Sequence, residues 1–203
     1  MWPWEHAIVG YLSYSLFCHL VFRTAPGGLD AFAVVFASVL PDLIDKPLAW
    51  EFGVFEAGYA LGHSVFFAVP LSIVVGTIAH RVGRPRLALA FPIGYLLHLP
   101  GDILYSYASE GVLYVGIVLW PIAVVPGDPA KRSFVEAFGS LFGRYVQTLL
   151  AGDVSTYVWI QFALAGLAFL VWLYDGLPVL RDLLNGCRRI VRTLIGPDRS
   201  TRE

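Results

Sequence analysis

The chain has 203 residues, of which 57% are hydrophobic and 14% charged, and its formal net charge is -1 at pH 7. With a mean hydropathy of +0.68, it lies well above the apolar share of ordinary soluble domains and reads as an all-α, polytopic transmembrane helix bundle. The near-neutral charge leaves no basic surface for nucleic acid, and no separate soluble domain is expected.

Taken in chain order, the first apolar span covers about residues 5–22. It is preceded by Trp2 and Trp4, which suit an interfacial anchor. It has no basic n-region and no small-residue cleavage site, so it is expected to be a retained helix. The turn at residues 25–28 leads to a short second span, about residues 29–40, which ends at Pro41; that proline is expected to terminate the helix. A third span is expected over about residues 55–79 and a fourth over about 87–104, with Arg81, Arg84 and Arg86 in the loop between them. Residues 112–125, interrupted by Trp120 and Pro121, are too few for the ~20 that a crossing needs and read as a broken or re-entrant segment. Residues 131–150 mix charged and apolar positions at helical spacing, as a surface helix does, and residues 157–174 form the last span. Five spans result, within a single transmembrane domain over residues 1–180, followed by a basic juxtamembrane tail over residues 181–203. Cys18 and Cys187 lie far apart without CxxC spacing and read as two unpaired thiols.

The arginines set the orientation. The loop with Arg81, Arg84 and Arg86 and the tail with Arg181, Arg188, Arg189, Arg192, Arg199 and Arg202 are the strongest positive clusters, so both are placed in the cytoplasm. Alternation then brings His6, the Pro41 to Asp45 segment, His63, and His98 with Asp102 to the opposite face. Lys131 and Arg132 fall outside in this five-span tracing; a six-span tracing brings them inside but exports the arginine-rich tail.

An Asp near the centre of a membrane helix costs roughly 2.5 to 3.5 kcal/mol, so several survive only by facing one another, water or a metal ion. His6, Asp42, Asp45, His63, His98 and Asp102 combine imidazole with carboxylate, the donors of a hard or borderline divalent metal site. His98 and Asp102, four residues apart, share one helix face, and Asp42 and Asp45 do so if their segment is helical. His63 stands between Gly62 and Ser64, where a neighbouring backbone can approach. His19 lies about 20 Å along the helix from His6, at ~1.5 Å per residue, and is left to packing or helix-end hydrogen bonding. The competing reading is a metal-free, hydrogen-bonded polar core. Glu5, Glu51, Glu56 and Glu110 are expected to be solvated, and Asp175 to pair with Arg181.

The order of motifs carries a family likeness: an N-terminal His, LPDLID at 40–45, GHS at 62–64, GYLLHLPGDIL at 94–104 and WP at 120–121. Over about residues 5–121 the chain resembles the membrane-bound metal-dependent hydrolases, an inner-membrane family that includes a LexA-regulated bacterial member. The HxxxD pair also looks like that of zinc-dependent phospholipase C. The resemblance implies an integral membrane hydrolase, with the family pattern falling on His6, Asp42, His63, His98 and Asp102. Two residues, Leu43 and Ile44, separate Asp42 from the next Asp where the family pattern more often has one.

The expected function is metal-dependent hydrolysis of a membrane lipid or lipid-linked ester or phosphoester, at a multi-pass protein of the cell membrane. His6, Asp42, His63, His98 and Asp102 are the expected ligands. Three imidazoles favour Zn, with Mn or Mg if carboxylates dominate. Asp45 is the expected catalytic residue, as general base or as orienter of a ligand. The alternative is a metal-binding or ion-transporting membrane protein without hydrolytic activity.

Overall fold

A computed structural model describes residues 1–127, 133–152 and 154–195. The described residues contain seven α-helices and no strand: α1 Pro3–Phe17, running on through a π turn at Cys18–Phe22, α2 Gly28–Trp50, α3 Val65–Arg81, α4 Pro85–Glu110, α5 Phe134–Leu150, α6 Thr156–Tyr174 and α7 Leu180–Ile195. Lys131, Arg132, Arg199 and Arg202, which entered the orientation argument, lie outside the described residues.

Helix α4 is the centre of the bundle, packed against α1, α2 and α3, with α1 also against α2 and α6. Small residues set how closely the helices approach. A Cβ on Gly94 of α4 would overlap the Val34 carbonyl of α2, and one on Gly10 of α1 would come within 2.9 Å of Ser38 Cβ. In lipid, where the hydrophobic effect does not drive helices together, such close backbone approach supplies much of the packing. One apolar cluster joins Ala37, Ala68, Phe91, Tyr95 and Leu99 to Ile117 and Val118, and a second joins Tyr14, Cys18, Val34 and Ala90.

The outer surface is apolar. On α6 only Val158 and Gln161 are buried, while Trp159, Ile160, Phe162, Leu167, Phe169 and Leu170 face outward. An exposed stripe of this size is what a lipid-facing helix presents. Helix α6 is held to α1 by two polar clamps. Near its start Tyr157 and Gln161 donate to the Glu5 carboxylate, the latter at 2.8 Å. At its end Asp175 accepts from the Tyr11 and Ser15 hydroxyls and pairs with His19, all at 2.7 Å. Glu5 is therefore buried rather than solvated, and Asp175 pairs with α1 rather than with Arg181, whose partner is Asp182 at 3.4 Å.

Several element expectations change. Only α4 and α6, of the five expected spans, are both long and apolar enough to cross a membrane by themselves. Helix α3 has 17 residues, about 25 Å at ~1.5 Å per residue, short of a ~30 Å hydrocarbon core. Helix α2 is long but carries Asp30, Asp42, Asp45 and Lys46. Pro41 does not terminate α2. It sits inside the helix with Pro47, and the helix runs on to Trp50. The third span starts at Val65 instead of residue 55. Residues 53–64 are irregular because Asp45 takes the backbone N–H groups of Ala60, Gly62 and His63, and the Ser64 hydroxyl then caps α3 by accepting from the Phe66 N–H at 3.2 Å. Residues 112–125 hold only a 3-10 turn, Val115–Val118, whose Ile117 and Val118 enter the core.

Candidate metal centre

Helices α2 and α4 and the end of the irregular loop bring Asp42, His63, His98 and Asp102 together. All four are buried, and one donor atom from each lies within 4.8 Å of the others. The spacing that placed His98 above Asp102 on one face holds because α4 is helical through both, and His98 Nε2 is 3.3 Å from Asp102 Oδ2. Asp42 joins them because α2 continues past Pro41, and its Oδ1 lies 3.9 Å from His98 Nε2 and 3.4 Å from His63 Nε2. His63 Nε2 lies 3.0 Å from His98 Nε2 and 3.4 Å from Asp102 Oδ2.

The proton positions follow from the outer partners of the two imidazoles. His98 Nδ1 is 2.7 Å from the Ser38 carbonyl, a group that only accepts, so Nδ1 carries the proton. His63 Nδ1 is 2.8 Å from Asp45 Oδ2 and likewise donates. Both Nε2 atoms are thereby turned inward, towards each other and towards two carboxylate oxygens. With both rings neutral, four acceptors converge with no donor of their own, and among the described residues Asp42 Oδ1 finds no hydrogen-bond partner. Such a group repels itself unless a cation or proton sits inside it. Ligands ~2.0 to 2.2 Å from a tetrahedral ion are separated by about 3.3 to 3.6 Å. The distances of 3.0, 3.3, 3.4, 3.4 and 3.9 Å bracket that range. The donor set fits a divalent ion.

Asp45 is completely buried, and four bonds occupy its two oxygens. Oδ2 accepts from Ala60 N at 2.8 Å, His63 N at 3.0 Å and His63 Nδ1, and Oδ1 from Gly62 N at 2.8 Å. Four N–H donors already hold this carboxylate, which is not among the residues lining the neighbouring cavity. Its contacts are those of the carboxylate that fixes the tautomer and ring plane of a metal-ligating histidine. The same bonds require Gly62, where a Cβ would come within 2.8 Å of the Pro41 carbonyl. The Tyr95 hydroxyl ties the loop down by donating to the Gly62 carbonyl at 2.7 Å.

His6, expected as a ligand, stands beside the group of four rather than in it. Its ring stacks on that of His98 at 3.7 Å between centroids, and its Nε2 is 3.2 Å from Asp102 Oδ1. The Met1 amino group reaches the same oxygen at 2.8 Å. His19 is at the other end of α1, as its spacing requires. Two contributors escaped the sequence reading. Lys46 pairs with Asp42 Oδ2 at 2.7 Å, and its i, i+4 spacing from Asp42 was a visible signal. The Ser38 carbonyl had no such signal, because any residue carries one.

A cavity of about 910 Å³ opens beside the group, with Asp42, Lys46 and Tyr59 among its lining residues and helix α5 along one wall. Burial raises the Tyr59 hydroxyl pKa, and the negative charges of Asp102 and Asp42 raise it further.

Comparison with known proteins adds a family. The model of the YdjM inner membrane protein family matches residues 1–179, and the chain belongs to that family. Neither a curated protein nor a solved structure matches it.

Proposed function

We propose that this YdjM-family membrane protein is a metal-dependent hydrolase of a lipid or lipid-linked ester or phosphoester, working near the outer headgroup level of a multi-pass bundle. The proposed spans are α1 with its π turn, α2, α3, α4 and α6, with α7 on the cytoplasmic side. The observation that carries the reading is the convergence of two inward Nε2 atoms and two carboxylates, with both Nδ1 atoms already committed elsewhere. Asp42, His63, His98 and Asp102 would hold the ion, Zn by the nitrogen content and Mn or Mg by the two carboxylates. When bound, a divalent ion supplies Lewis acidity to a scissile ester and draws the pKa of a water from 15.7 towards about 7. Asp45 holds the His63 ring in place, Lys46 fixes the second oxygen of Asp42, and the His6 ring packs against His98. The neighbouring cavity gives a substrate access to the Asp42 side of the group.

The test is metal analysis of the detergent-purified protein together with hydrolysis of a phospholipid and lipid-linked ester panel. His98→Ala is expected to lose metal and activity together. A metal-free wild-type protein of unchanged stability in chelator would leave a hydrogen-bonded polar core. One observation favours a second reading, ion movement: the buried Tyr11, Ser15 and Asp175, together with the partly exposed His19, give α1 polar groups at its other end too. Metal-dependent uptake into proteoliposomes without hydrolysis would select it.

A further inference from the structure

The cavity beside the metal centre has a composition that selects its occupant. Its walls are largely apolar and aromatic, with Trp2, Val39 and Trp50 among them and Phe134 and Leu141 contributed by α5. Among its described lining residues the charged side chains are Asp42, Lys46, Glu56 and Arg144. Glu56 and Arg144 are exposed and of opposite sign, so water screens both. Lys46 is the side-chain cation that lies within: it is 18% exposed, and its partner Asp42 Oδ2 belongs to a carboxylate that also faces the metal group, whereas the Met1 amino group is committed to Asp102 Oδ1 at 2.8 Å. With Asp42 and Asp102 offset by a divalent ion, and Asp45 lying behind His63 outside the cavity lining, Lys46 is the positive side chain that the apolar space faces. Half-exposed apolar side chains, Leu43, Val54 and Leu141, line the same cavity and suit a hydrocarbon chain leaving sideways.

Resting on the hydrolase reading for the identity of the site, we infer that the cavity binds an amphiphile with an anionic, phosphate-type headgroup, its head on Lys46 beside Asp42 and its chain along α5. Helix α5 is suited to this role. It has no buried residue of its own, and Phe134, Ala137, Leu141 and Arg144 recur at helical spacing along the wall of the cavity. It is seated by Trp2 and Trp4, whose stacked rings meet Phe142 and Tyr145, and by Glu51, which accepts from the Phe134 N–H at 3.0 Å.

The experiment is native mass spectrometry of the full-length protein in neutral detergent, metal-loaded and chelator-treated. The probes are dioctanoyl phosphatidic acid, dioctanoyl phosphatidylcholine or inorganic phosphate. Wild-type protein is expected to retain one phosphatidic acid about tenfold better than phosphatidylcholine, the size of one charge-assisted contact, and to retain no inorganic phosphate, which has no chain. Lys46→Gln should reduce that preference to near unity. Ala137→Trp, which fills the cavity from a helix without buried residues, should lower retention of both lipids with the metal content unchanged. Equal retention of the two lipids by wild-type protein, a preference that survives Lys46→Gln, or retention unaffected by Ala137→Trp would each overturn the inference. Inorganic phosphate bound as well as phosphatidic acid would make the site one for free anions and overturn it too. Retention is read apart from turnover. An intact headgroup preference on a protein that hydrolyses nothing overturns the hydrolase reading alone, and hydrolysis without the preference overturns this inference alone.

Discussion

Replacing Asp45 with Asn separates a proton-handling carboxylate from one that holds a ligand in place. The native side chain accepts four hydrogen bonds, three on Oδ2 and one on Oδ1. An Asn keeps one acceptor oxygen. Turned to serve Ala60, His63 N and His63 Nδ1, it presents its NH2 group to the Gly62 N–H, a donor against a donor. Leaving one buried amide unpaired costs about 1 to 3 kcal/mol, and the other three bonds lose their charge assistance. His63 then rests on a neutral acceptor, which makes its Nε2 a poorer donor to metal. The expected loss of metal affinity is about 10- to 100-fold, as for other carboxylates bonded to a ligating imidazole. Competition with a chromophoric chelator on the detergent-purified variant measures it, alongside turnover on whichever ester wild-type protein cleaves. Turnover should fall in step with bound metal and return when metal is raised in excess. A variant that binds metal within twofold of wild type while turnover collapses would refute the geometric argument and make Asp45 the base.

Removing a ligand outright should be harsher: His98→Ala or Asp102→Ala is expected to abolish stoichiometric metal, read by elemental analysis, whereas His19→Ala and the exposed His80→Ala leave it unchanged. Gly94→Ala places a methyl group against the Val34 carbonyl. It should cost about 1 to 3 kcal/mol of stability and weaken metal binding as well, because α2 and α4 carry opposite sides of the centre; thermal unfolding with and without metal reads both effects. Asp175→Ala leaves three donors without their acceptor. It should lower stability by about 2 to 5 kcal/mol with metal content retained, and loss of metal there would mean that the two ends of α1 are coupled.

Composition was enough to make this a helical membrane protein, since a chain so apolar has too little polar surface to cover itself in water. Spacing along single helices was also decisive. The HxxxD of α4 could only stack His98 over Asp102, and 13 residues of helix could only keep His19 away from His6. For Asp42 and Asp102 a place in a polar cluster was legible because a carboxylate is expensive in lipid and announces partners wherever it falls, whereas His6, expected as a fifth ligand, stands beside the group. What needed the tertiary structure was everything that depends on a backbone group or on a helix running past its apparent end. Pro41 looked like a terminator, yet packing carries α2 on to Trp50 and so aims Asp42 at His63. Residues 55–64 looked like the start of a span, but Asp45 gathers their N–H groups into a loop. That choice gives Asp45 four buried N–H donors, and no periodicity encodes it. Glu5 and Asp175 looked solvated or arginine-paired because their actual partners, Tyr157, Gln161, Tyr11, Ser15 and His19, come from helices far away in sequence. The tautomers of His63 and His98, on which the metal reading turns, are set by a carboxylate and a main-chain carbonyl of α2, contacts made only when the loop and α4 pack against that helix.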